Sequence, residues 1–193
     1  MKLHYMGKYN LDPESLPTKD HKPNSTKFKE PEDSTKLSIL ASVISLAVLA
    51  IFLIPILQIN GDAVRKFFYL GLILSAISLF PHELLHAICF KEDVYLYTNW
   101  TQGMLFVVGT EDMSKSRFIF MSLLPNIVFG LIPYVIFLIN TDLALLGVMG
   151  AFCLSCGAGD YLNVFNALTQ MPRGSRTYLN GFNSYWFMPE DNK

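Results

Sequence analysis

The residues best suited to chemistry are His82, Glu83 and His86, which stand in the order His82-Glu83-Leu84-Leu85-His86. On a helix the two histidines fall one turn apart on one face, where two imidazoles can hold a single Zn²⁺ and the intervening carboxylate can reach a water on the metal. The pattern alone is moderately specific, and its setting sharpens it. It lies inside an apolar run, where an ionisable side chain costs on the order of 2.5 to 3.5 kcal/mol on insertion scales and is tolerated chiefly for function.

Four apolar stretches must position these residues: 37–59, 67–90, 118–140 and 143–168. Each reaches the roughly 20 residues a helix needs to cross ~30 Å of hydrocarbon. With 51% hydrophobic and 16% charged residues, the sequence predicts a mainly α, integral membrane fold of four transmembrane helices. The net charge of -1 and the lack of basic residues interleaved with aromatics argue against nucleic acid as a partner. Residues 1–36 hold no apolar core segment, so they read as a disordered cytosolic tail and not as a targeting peptide. Between the second and third stretches, Val94-Tyr95-Leu96-Tyr97 and Met104-Leu105-Phe106-Val107-Val108 are rich in strand formers and predict a β-hairpin at the cytosolic membrane face. Residues 37–170 form the membrane domain on this reading, and residues 171–193, with Tyr178, Phe182, Tyr185, Trp186 and Phe187, form an aromatic interfacial segment. Seven Lys and Arg in the tail, three in the middle loop and three after the fourth stretch face only Arg65 and Lys66 opposite. That bias predicts a multi-pass protein of the cell membrane with both termini in the cytosol.

Inside the four stretches the ionisable residues are His82, Glu83, His86 and Asp160. His82 and Asp160 each precede the cytosolic end of their helix by eight residues, which puts both ~12 Å below that surface at 1.5 Å per residue. A carboxylate at this depth can complete a site of two histidines and one carboxylate with a fourth position open to water. Cys153 and Cys156 read as small packing residues on an apolar helix, with Cys156, one turn before Asp160, as a fallback ligand. The three cysteines do not make a disulfide framework. Glu111 and Asp112 read as a solvated turn, and His4 and His21 as bystanders in the tail.

The helix containing Pro81-His82-Glu83-Leu84-Leu85-His86-Ala87, the strand-rich loop, Leu124-Pro125-Asn126, the Ser155 to Asp160 stretch and Met171-Pro172-Arg173-Gly174 together resemble a family of small bacterial membrane proteins known as the putative zincin peptidases. The resemblance covers roughly residues 37–183. That family in turn is similar to the site-2 proteases, intramembrane metalloenzymes whose third zinc ligand is an Asp on a later helix. The resemblance implies His82, His86 and Asp160 as zinc ligands and Glu83 as the catalytic base. The sequence departs from the site-2 pattern around the Asp, where Gly159 precedes Asp160 and Tyr161 follows it. The implied reaction is zinc-dependent hydrolysis of peptide bonds in membrane or membrane-proximal proteins, with the hairpin edge receiving an extended substrate and Asn126 as a candidate oxyanion or substrate contact. A second reading fits the same residues: an inactive zincin-like membrane protein that binds or regulates a partner. Glu83 separates the two, because a binding module needs no general base.

Overall fold

The computed structural model describes residues 1–31 and 33–189. Among the described residues it is mainly helical with some strands, and two helices are long and apolar enough to cross a membrane. The first, α1 (Ser34–Ile88), takes in the first two predicted stretches. At 1.5 Å per residue, 55 residues would extend about 80 Å, far beyond one bilayer. The helix is interrupted at Asn60, whose φ of -147° and ψ of 65° are not helical, within the Asn60-Gly61-Asp62 segment expected to end the first span.

The second of the two helices, Lys115–Ile139, contains nearly all of the third stretch and is not regular throughout. It runs as α2 (Lys115–Pro125), a π-helical segment over Asn126–Leu131, and α3 (Ile132–Ile139). Nor is the fourth stretch a single straight helix: α4 (Ala144–Cys156) and α5 (Ala158–Gln170) meet at Gly157 with a bend of 54°. Four separate regular spans were expected. Asn60, the π-helical segment and Gly157 are where the backbone departs from that expectation.

The chain divides into two compact units. One comprises Glu30–His82 and Leu123–Leu162. Its core is Ile56, Val64, Tyr134, Phe137, Ala144, Val148, Ala151 and Leu154. Both arms of α1 join it: the Tyr134 hydroxyl donates to the Phe52 carbonyl at 3.1 Å, and Gly71 lies so near Val148 that a Cβ there would meet it at 2.5 Å. Away from this core, Ile39, Leu46, Ile51, Tyr69, Ile73 and Ile77 point outward and are each more than half exposed. A helix apolar on every face needs lipid or protein around it.

The other unit comprises Met1–Lys29, Glu83–Ser122 and Asn163–Lys193. Here β3 (Val94–Asn99) and β4 (Met104–Val108) pair antiparallel, forming the expected hairpin. The N-terminal residues are not the expected tail. Strand β1 (Leu3–Lys8) pairs parallel with β3, and β2 (Thr26–Lys27) pairs with β7 (Asn183–Phe187). Tyr9 and Leu16 are buried with Tyr97 and Val108, and Phe28 is 2% exposed in a second cluster. The burial of these scattered side chains compensates the cost of ordering the segment. His4 and His21, expected to be idle, contact Asp93 at 3.0 Å and the Tyr178 hydroxyl at 3.1 Å. The C-terminal segment contains a hairpin of β6 (Arg176–Asn180) and β7, in a sheet of order β2-β7-β6-β5 with β5 (Met113–Ser114). Residues 190–193 of that segment, Lys193 among them, lie outside the described residues, as does Glu32 of the expected tail.

Glu111 is no solvated residue either: it is 6% exposed. It accepts from the Arg117 guanidinium, from the Lys91 N–H at 2.5 Å and from the Glu92 N–H at 3.1 Å. Burial works against its charge, but these donors together outweigh burial and hold the carboxyl below the usual range. Its folded pKa therefore lies below its unfolded one, so the stabilisation is complete above the unfolded value and disappears as pH falls through the folded one. Glu111→Gln is expected to cost about 1–3 kcal/mol at pH 7. Thermal unfolding in detergent should show that deficit shrinking as the pH drops below about 4.

Candidate metal centre

One turn of α1 carries the motif. Its own geometry brings ligand atoms of His82, Glu83 and His86 within 4.8 Å of one another, and among the described residues this is the group of three His, Cys, Asp or Glu so placed. His82 is buried, and Glu83 and His86 are half-buried. Pro81, immediately before them, supplies no N–H to the carbonyl one turn back, which loosens the helix where the ligands begin.

In the unit that contains His82, this imidazole meets Asp160. Its Nε2 lies 3.2 Å from Asp160 Oδ2, and both side chains are about nine-tenths buried. Two ligands each ~2.0–2.1 Å from a tetrahedral zinc stand ~3.3 Å apart, so the observed separation suits neighbours on one ion. Asp160 lies outside the three-residue group and joins it through this contact. The Asn126 amide nitrogen donates to the same carboxylate oxygen at 2.7 Å. Tyr161 places its hydroxyl 3.2 Å from Asn126 Oδ1 and 2.7 Å from the Leu154 carbonyl.

Helix irregularities make these contacts possible. Asn126 opens the π-helical segment directly after Pro125, and Asp160 stands in the first turn of α5, just past the bend at Gly157. π-Helical turns recur at functional sites because they re-aim side chains. A Cβ at position 157 would lie 1.9 Å from Asn126 Oδ1, so only glycine admits the amide.

In the other unit, His86 Nδ1 is 3.0 Å from the Met121 carbonyl oxygen. A carbonyl only accepts, so Nδ1 donates the hydrogen, and in the neutral imidazole Nε2 is then the nitrogen able to bind a metal. The same helix, α2, holds the end of α1: Arg117 Nε donates to the Cys89 carbonyl at 3.0 Å, and the Cys89 N–H bonds the His86 carbonyl at 3.1 Å.

The remaining candidates make other contacts. Cys153 contacts the Ser78 hydroxyl at 3.1 Å as a buried packing residue, and Cys156, the fallback ligand, is exposed. Asn126, expected at the oxyanion, directs an amide hydrogen at Asp160. Gly157, Tyr161 and the Met121 carbonyl carried no signal in the sequence, although Tyr161 adjoins a residue that did.

A family model described as "Putative zincin peptidase" matches residues 75–176, a stretch that includes the motif, Asn126, Asp160 and Tyr161. This covers more than half of the chain, and the protein belongs to that family. No curated protein and no solved structure matches it.

The glycine contact gives a test of the Asn126 cradle. Gly157→Ala should lower stability by about 1–3 kcal/mol, the cost of forcing a methyl into a filled site. Gly159→Ala, where a Cβ would meet nothing within 4 Å, should be neutral. Thermal unfolding of both variants in one detergent reads the contrast.

Proposed function

Starting from that family membership, we propose that this protein is a membrane-embedded zinc metalloprotease that hydrolyses peptide bonds of membrane or membrane-proximal proteins. The observation that carries the reading is the buried contact between His82 and Asp160, in a region otherwise apolar, beside a turn with two further ligand-capable side chains. His82, His86 and Asp160 would hold the ion, and the donor set of two imidazoles and one carboxylate is one that zinc hydrolases use. Bound zinc supplies Lewis acidity, making water a nucleophile near neutral pH and polarising a carbonyl. Glu83 is the base: its carboxylate takes a proton from the attacking water and delivers it to the leaving amine nitrogen. Arg117 and Met121 fix the last turn of α1, and with it the His86 ring.

The membrane reading proposed here has four crossings, two from α1 on either side of Asn60, one from α2 through α3, and one from the bent α4 and α5 pair. Support comes from strand pairing. β1 and β3 share a sheet although α1 lies between them, and β5 pairs with β6 although α2 to α5 lie between them. Strands hydrogen-bonded in one sheet lie on one side of a bilayer, so each intervening stretch crosses an even number of times. The Lys and Arg distribution makes that side the cytosol, with both termini on it. On this side β4 forms an edge of the three-stranded sheet, to which an extended substrate segment can add as a strand. A helical substrate must unwind before cleavage, and such pairing stabilises the unwound form.

Purified protein is expected to carry stoichiometric zinc by elemental analysis, and His86→Ala is expected to abolish it. Glu83→Gln should keep the zinc while cleavage of a proteome-derived peptide library, read as new N-termini by mass spectrometry, falls roughly 10²- to 10⁴-fold. Wild-type protein without zinc, or Glu83→Gln with unchanged cleavage, overturns the proposal.

A further inference from the structure

A carboxylate that ligates a metal needs its remaining lone pairs occupied in a fixed way, or its orientation drifts and affinity drops. For Asp160 the structure provides the Asn126 amide nitrogen at 2.7 Å. An amide has a donor end and an acceptor end, and only the donor end is compatible with an ionised carboxylate. Were the amide rotated by half a turn, its oxygen would face Asp160 and repel it. Two features oppose that rotation. The Tyr161 hydroxyl lies 3.2 Å from Asn126 Oδ1 and 2.7 Å from the Leu154 carbonyl oxygen. The hydroxyl carries one hydrogen, which these two oxygens share as acceptors, and its donation to Asn126 Oδ1 favours the amide oxygen over Nδ2 on that side. The second feature is Gly157, against whose backbone the amide is packed so closely that no Cβ fits, which fixes the plane of the amide and hinders its turning. All of these groups belong to one compact unit and are buried or half-buried, where a misdirected polar group is costly.

We propose that Tyr161 and Asn126 are positioning residues, in which the Tyr161 hydroxyl locks the Asn126 amide with its nitrogen toward Asp160 and thereby sets the carboxylate for metal binding. The inference rests on the reading of Asp160 as a zinc ligand. Tyr161 follows Asp160 directly, yet it acts on it through a residue 35 positions away in sequence.

The test measures metal affinity by chelator competition, with Co²⁺ substitution as a spectroscopic readout of the ligand field, in full-length protein in detergent. Tyr161→Phe removes one oxygen and keeps the ring. It should weaken zinc binding roughly 10- to 100-fold and shift the visible Co²⁺ bands. Asn126→Leu should weaken binding at least as much. The double variant should be no worse than Asn126→Leu alone, since Tyr161 acts through Asn126. A Tyr161→Phe protein with wild-type affinity and spectrum, or a further loss on adding Tyr161→Phe to Asn126→Leu, overturns this inference and leaves the metal site standing. Wild-type protein that binds no zinc overturns the metal reading itself. A purely structural role for Tyr161 would lower the unfolding temperature with the Co²⁺ bands unmoved, and would also overturn the proposal.

Discussion

A carboxylate enclosed by apolar helices is bearable only when donors or a cation meet it, and Asp160 imposes that requirement on everything around it. His82 and Asn126 both direct nitrogen at the same carboxylate oxygen. To do so, α1 must present His82 toward Asp160, and the helical path must open at Asn126 and bend at Gly157. The cost of an uncompensated buried charge is several kcal/mol, which exceeds the cost of a π-helical turn or a bent helix. The irregular backbone is therefore the cheaper arrangement.

Much of the candidate site is readable because ionisable residues are conspicuous in apolar stretches. His82, Glu83, His86 and Asp160 stood out as the ionisable residues of four apolar stretches, and depth counting placed His82 and Asp160 at one level. The structure puts those two in contact. The supporting residues were not readable in the same way. Tyr161 and Gly157 are unremarkable in type for an apolar helix. Their roles come from contacts with Asn126, some thirty positions earlier, which no local pattern encodes.

Outside the apolar stretches the sequence is less legible, for a related reason. Strand β3 and strand β4 announce themselves by runs of β-branched and aromatic residues. Residues 1–31 offer only isolated apolar side chains, with Lys, Asp and Pro between them, so they match the composition of a flexible tail. They are ordered because Tyr9, Leu16 and Phe28 find cores built by distant chain segments. Glu111 follows the same rule: its acidic neighbourhood suggests solvent, while its three donors lie at positions 91, 92 and 117.

The parallel pairing of Leu3 with Val94 bears on how a ribosome can deliver this molecule. At roughly 5 to 20 residues per second, the first strand emerges about 5 to 20 s before its neighbour exists. During that interval its N–H and C=O groups stay hydrated while the long hydrophobic helix α1 is being made. The four-stranded sheet closes later still, once Asn183–Phe187 has been made. Asp160, too, arrives well after both histidines. The nascent protein consequently passes through a period in which the two imidazoles exist without the carboxylate.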